Sequence, residues 1–209
     1  MKLYYTPGAC SLATHIVLRE AGFEFETEKV DLATHRTESG ADFYAINPKG
    51  YVPALMLDDG QVLTEGGAIV QYLADLKPEV GLAPPPGTLE RARMNEQLIF
   101  IAAELHKAYG PLFSPRASEE AKAAARENVA RRLDHVERQL ADGRPYLLGQ
   151  ELTVADIYMF VVARWAQQMG IGSGRWPKLA AFLERIASRE AVQAALRSEG
   201  LVEPAEQAA

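Results

Sequence analysis

The sequence predicts two domains, an α/β domain whose elements run βαβαββα, followed by an all-helical domain. Three observations lead there. Short apolar strand patterns alternate with amphipathic helix patterns as far as Leu76. Residues 77–87 carry Pro78, Pro84, Pro85 and Pro86 with two glycines. Beyond them only helical periodicity appears. The proline-rich stretch reads as a linker and divides the chain into domains at residues 1–80 and 81–209. With 209 residues the chain can bury a sizeable core.

Lys2 to Thr6 is an apolar strand pattern, broken by Pro7-Gly8. Ser11 opens a helix with Leu12, Ala13, Ile16 and Val17 on its buried side, and Gly22 stops it. Phe23 and Phe25 alternate with glutamates, and Val30 and Leu32 continue the period of two, so a second strand is expected from Phe23 onward. A helix between two strands implies a right-handed crossover and a parallel pair. His35 to Gly40 reads as a polar loop and Ala41 to Ile46 as a short helix ended by Asn47-Pro48. Ala54–Leu57 and Gln61–Thr64 flank Asp58-Asp59-Gly60, a strong hairpin signal, so these strands should be antiparallel. Glu65-Gly66-Gly67 then opens a helix that buries Ile69, Val70, Tyr72 and Leu73.

In the second domain Thr88–Tyr109, Ser118–Ala141 and Thr153–Met169 are long helix patterns; Pro177–Ala187 and Glu190–Ser198 are shorter ones. Thr153-Val154-Ala155-Asp156 is a capping-box variant, with Leu152 and Ile157 placed as a hydrophobic staple.

Composition narrows the partners. A net charge of −6 offers no basic face for nucleic acid or an anionic membrane. A single cysteine excludes an internal disulfide framework and suits a reducing compartment. With no basic leader and no apolar run near the roughly 20 residues of a bilayer span, a soluble cytoplasmic protein is expected.

That single cysteine stands at the first strand-to-helix junction, in Tyr4-Tyr5-Thr6-Pro7-Gly8-Ala9-Cys10-Ser11. Unpaired N–H groups and the positive end of the helix dipole favour a thiolate there. Two readings stand: an activated thiol, or a small buried apolar residue. Val52, before Pro53, is held extended, and its N–H and C=O are left to find partners, as at an edge that binds peptide.

Taken together, the Tyr4–Leu12 stretch, Asn47-Pro48-Lys49-Gly50-Tyr51-Val52-Pro53, Leu63-Thr64-Glu65-Gly66 and Leu152-Thr153-Val154-Ala155-Asp156 resemble bacterial beta-class glutathione transferases along essentially the whole chain. Any one of these stretches is weak evidence; four in order at family spacing are strong. The resemblance implies a thioredoxin-like first domain, a helical second domain that contributes an electrophile pocket, and a homodimer. Glutathione would be the co-substrate, with no other cofactor and no metal. The activity implied is addition of the glutathione thiol to small hydrophobic electrophiles. Two alternatives on the same fold are a monothiol disulfide reductase or dehalogenase, and a noncatalytic partner-binding protein.

Residue by residue, the resemblance makes Pro53 a cis-proline that turns the Val52 backbone toward the cysteinyl unit of glutathione. It gives Glu65 the γ-glutamyl amine and the Gly66 N–H its carboxylate, where other classes add a serine hydroxyl. The bare alternative for Glu65 is a helix N-terminal acid. His35 stands where the family often has a lysine for the glycyl carboxylate. Cys10, with Ala9 beside it, faces the thiol. Tyr5 is a secondary catalytic candidate, since in other classes a first-strand tyrosine donates to the glutathione thiolate. His106 and Lys107, which spacing alone reads as a wet polar turn, would face the thiol end. Glu104 would reach the γ-glutamyl amine of the neighbouring subunit, and Ile99 replaces a frequent asparagine.

Overall fold

The computed structural model describes residues 1–202. It divides into two compact units, Met1–Val80 joined by the chain from Ala187 onward, and Gly81–Ile186.

The first unit is built on a five-stranded sheet in the order β3-β2-β1-β4-β5. β1 (Lys2–Tyr5) lies parallel to β2 (Glu26–Asp31), with Leu3 opposite Thr27. It lies antiparallel to β4 (Ala54–Met56), which pairs with β5 (Val62–Thr64) through the Asp58-Asp59-Gly60 turn. The parallel pair and the antiparallel hairpin are as the sequence implies. The sequence does not imply β3 (Arg36–Thr37), which pairs with β2 inside the stretch read as a loop. Its two residues are too few to show a period. β2 also starts three residues later than Phe23, because the Phe25 ring is used to cover His15.

α1 (Ser11–Glu20) is buried along nearly its whole length, Thr14 and His15 included, as it packs on both α3 (Gly66–Leu76) and α10 (Glu190–Ser198). Full burial of Leu12, Ile16, Val17 and Leu18 stabilises the unit by about 1.5–3 kcal/mol each relative to exposure. α3 buries Ile69, Val70, Leu73 and Ala74, whereas Tyr72 is turned outward at 37 % exposure, so that expectation fails by one position on the helix wheel. Tyr4, Val30, Phe43, Val52 and Ala54 form a buried cluster with α2 (Phe43–Ile46), and Ala9 packs against it.

The sequence reading assigned everything beyond residue 80 to the helical domain. Contacts place α10 elsewhere, with the first unit. Arg189 makes a bidentate pair with Glu20, and Glu199 reaches beneath the start of α1. The Glu199 carboxylate accepts from His15 Nδ1 at 2.9 Å and from the Gly8 N–H at 2.9 Å. Arg19 Nε donates to His15 Nε2 at 3.0 Å, so the imidazole carries its hydrogen on Nδ1.

The second unit is helical. α4 (Leu89–Ile99) continues through a π-helical segment, Phe100–Leu105, into α5 (His106–Ala108); α6 (Gly110–Phe113) and α7 (Glu119–Gln139) follow. α8 (Val154–Gln168) is its central, mostly buried helix, and α9 (Pro177–Ala187) closes the set. The capping box forms as expected: Asp156 accepts from the Thr153 N–H and hydroxyl at 2.8 Å each, and also from the Leu147 N–H at 2.7 Å. Burial pushes this carboxyl up to about 6, against the three donors, which favour its ionised form. Among the described residues no helix is long and apolar enough to cross a membrane.

Glu199 offers the sharpest test of this arrangement. Glu199→Ala would leave the His15 and Gly8 N–H groups buried without their acceptor, and should lower stability by about 3–5 kcal/mol in urea titrations. A change below about 1 kcal/mol would mean that α10 is held by its apolar face alone.

Candidate functional site

The turn from β1 into α1 is shaped by its own backbone. Gly8 takes φ 73°, a left-handed conformation suited to glycine, and the Leu201 side chain lies 3.4 Å from where a Cβ would stand. The Ala9 N–H donates to the Thr6 carbonyl at 3.0 Å. Ser11 Oγ accepts from the Thr6 N–H and donates to the Thr6 carbonyl, which commits that hydroxyl to the turn. Cys10 is the N-cap of α1, but its side chain does not cap the helix. Its thiol donates instead to the Val52 carbonyl at 3.3 Å.

Val52-Pro53 is a cis peptide, as expected. The Pro53 ring in turn abuts Gly66, leaving 3.6 Å to the place of a Cβ. Glu65 precedes α3 at φ 68°, a strained conformation for a residue with a side chain, and its carboxylate makes no cap bond to the helix. The carboxylate is paired with Lys49 Nζ at 2.7 Å. His35, also left-handed at φ 52°, stacks on Tyr44 with ring centroids 4.3 Å apart. Both rings press on Gly50, where a Cβ would come within 2.7 Å of Tyr44 and 3.1 Å of His35. Contacts thus link Ala9, Cys10, Val52, Pro53, Gly66 and Glu65 in one run, and His35 joins it through the Asn47–Tyr51 loop.

Tyr5 is placed differently. Its ring packs edge-on against His15 at 6.0 Å, and burial, then the Glu199 charge, raises its phenol above the usual range, so it stays protonated. The sequence reading missed the residues that support the Cys10 turn, His15, Arg19 and Glu199. A histidine within an otherwise apolar helix was the available signal, but its carboxylate partner lies 184 residues away. A surface cleft of about 800 Å³, lined by Arg19, Glu20, Phe25 and Arg189 among others, includes none of the expected site residues.

The second unit holds His106, Lys107 and Glu104. His106 Nδ1 lies 3.3 Å from the Tyr158 hydroxyl, and its ring meets Trp165 edge-on at 4.8 Å. Burial, then the neighbouring Lys107 charge, lowers its pKa to about 4, so it is a neutral hydrogen-bonding group at pH 7. Lys107 is exposed. Glu104 is paired with Arg132 at 2.6 Å, and Ile99 is 66 % exposed. Among the described residues no group of three or more His, Cys, Asp or Glu side chains is placed to hold a metal ion.

A family model for the glutathione S-transferase N-terminal domain matches residues 1–75, and one for the C-terminal domain matches residues 100–190. Glutathione S-transferase GstA of Escherichia coli O157:H7 is 48 % identical over 96 % of this chain and 100 % of its own length. The chain belongs to the glutathione S-transferase family. A beta-class glutathione S-transferase from Sphingomonas chungbukensis superposes with a TM-score of 0.94 at 51 % identity, covering 97 % of this chain and 100 % of that one. A sphingomonad glutathione S-transferase complexed with glutathione superposes at 0.93, also 51 % identical, over 97 % of this chain and 100 % of that one. Fold class and beta-class likeness read from the sequence therefore stand.

For this glutathione S-transferase the neutral state of His106 has a pH consequence. A group whose folded pKa is lowered gives stability that is present above its unfolded value, 6.5, and lost as pH falls through about 4. The loss at His106 should reach up to about 3 kcal/mol. Denaturation at pH 7 and pH 4 should show that His106→Asn loses less stability on acidification than the parent protein, and the imidazole should titrate near pH 4 by NMR.

Proposed function

We propose that this glutathione S-transferase works as a cytoplasmic homodimer that adds the thiol of glutathione to small hydrophobic electrophiles. The observation that carries the assignment of residues is the Cys10 thiol on the Val52 carbonyl, beside a cis-proline that abuts Gly66 and Glu65. In this reading glutathione adds to the Val52 backbone as a strand would, its cysteinyl N–H taking the carbonyl that Cys10 now occupies. The γ-glutamyl ammonium pairs with Glu65, its carboxylate with the Gly66 N–H, and the glycyl carboxylate with His35.

The glutathione sulfur gives up its proton and attacks the electrophilic carbon, displacing a leaving group or adding to an activated double bond. Hydrogen bonds to that sulfur stabilise its thiolate. Cys10 and the N–H groups at the start of α1 are proposed to supply them, with neutral His106 of the second unit and Tyr5 as further candidates. Lys107 and Glu104 are kept as glutathione-binding candidates; the Arg132 pair must open for Glu104 to serve. A second reading is favoured by the same cysteine. Its thiolate can attack the glutathione sulfur of a mixed disulfide between glutathione and another thiol, releasing that thiol and leaving Cys10 bonded to glutathione; a second glutathione then frees Cys10 and leaves as oxidised glutathione.

Two variants test these roles. Glu65→Gln keeps the shape and loses a charge-assisted bond, so glutathione affinity by calorimetry should fall about tenfold; an unchanged affinity would return Glu65 to a helix-start acid. Cys10→Ala should lower conjugation several-fold and abolish the mixed disulfide seen by mass spectrometry. Complete loss of conjugation would instead show that Cys10 alone, and not a set of shared donors, sustains the glutathione thiolate.

A further inference from the structure

Lys49 Nζ stands 2.7 Å from Glu65 Oε1 and donates to Thr64 Oγ1 at 3.1 Å. It thus occupies the carboxylate proposed for the γ-glutamyl ammonium, and this inference rests on that assignment. A ligand ammonium paired with Glu65 would stand beside the Lys49 ammonium on Oε1, and repulsion between the two like charges favours displacement of Lys49. The pair opens readily, since the Lys49 and Glu65 side chains are 49 % and 69 % exposed and such pairs are weak.

Displacement does not carry Lys49 away. Buried Asn47 accepts from the Lys49 N–H at 3.2 Å through its side chain and from the Gly50 N–H at 2.9 Å through its carbonyl, and its amide donates to the Tyr51 carbonyl at 2.7 Å. Gly50, at φ 70° against His35 and Tyr44, fixes the other side of the loop. The released ammonium therefore stays beside the β5–α3 turn. A γ-glutamyl group carries its ammonium and carboxylate on one carbon, so the step that brings the competing cation also brings an anion. The start of α3 offers that anion backbone N–H groups, but Gly66 offers no hydroxyl.

We propose that Lys49 is a further specificity residue of the glutathione site. The γ-glutamyl zwitterion inserts into the Lys49–Glu65 pair, Glu65 passing to the ligand ammonium and Lys49 to the ligand α-carboxylate. Each charge changes partner and none is left unpaired.

The exchange is tested by calorimetry on the parent protein, Lys49→Met and Glu65→Gln, with two ligands: glutathione, and 4-aminobutyryl-cysteinylglycine, which keeps the ammonium and lacks the α-carboxylate. Lys49→Met should weaken glutathione about three- to tenfold, and should leave the decarboxylated analogue unchanged or bound more tightly. Equal weakening of both ligands would overturn the exchange, as would unchanged or tighter binding of glutathione, which would make Lys49 a bystander or a plain competitor. Glu65→Gln is the control on the underlying assignment: if it leaves glutathione affinity unchanged, that assignment fails whatever Lys49 does. Lys49 is a half-exposed loop residue, so its substitution leaves the core intact.

Discussion

The Glu199 carboxylate is the interaction on which the thiol-bearing end of the molecule depends. Taking a carboxylate out of water costs several kcal/mol unless its oxygens find donors. Here one oxygen faces His15 Nδ1 and the other the Gly8 N–H. Those two donors belong to the two parts of the chain that Cys10 separates, the turn before it and the helix after it. One buried charge therefore fixes the turn and the helix together, and Arg19 completes the set by assigning the hydrogen of His15. The Cys10 thiol is set between these constraints, and its own hydrogen bond runs away from them, to Val52.

A second constraint is backbone strain. His35 and Glu65, both with side chains, are held at positive φ, one on each side of the Asn47–Pro53 loop. Each such residue costs of order 1–3 kcal/mol, and persists because its surroundings over-determine it. Asn47 ties the loop at three points, and Gly50 admits His35 and Tyr44 only because it lacks a Cβ. The strain fixes the positions of a carboxylate and an imidazole that side-chain packing would otherwise leave mobile.

Much of this was legible in the sequence because it is written in local signals. Asp58-Asp59-Gly60 marks its hairpin, Thr153 and Asp156 mark their helix start, and Val52-Pro53 marks a constrained peptide; each involves neighbours in the chain. What escaped was non-local or too short to show a period. β3 has two residues, and the outward turn of Tyr72 depends on the exact rotation of α3. The allegiance of α10 is set by Glu199 and Arg189, whose partners, His15 and Glu20, lie at the other end of the chain. The π-helical segment before His106 has no composition of its own, and Ile101 and Leu105 within it are buried as in any amphipathic helix.

The allegiance of α10 also bears on how the protein is made. A ribosome emits β1, the Cys10 turn and α1 first, and α10 only after all of Gly81–Ile186 has been synthesised. Until then α1 has one of its flanks bare, and His15 and the Gly8 N–H wait for a carboxylate that does not yet exist. The second unit, by contrast, is contiguous and can close on itself as it emerges. Synthesis and completion thus run in opposite orders: Cys10 is among the earliest residues translated, yet the carboxylate that completes its turn arrives only after the helical unit has been synthesised.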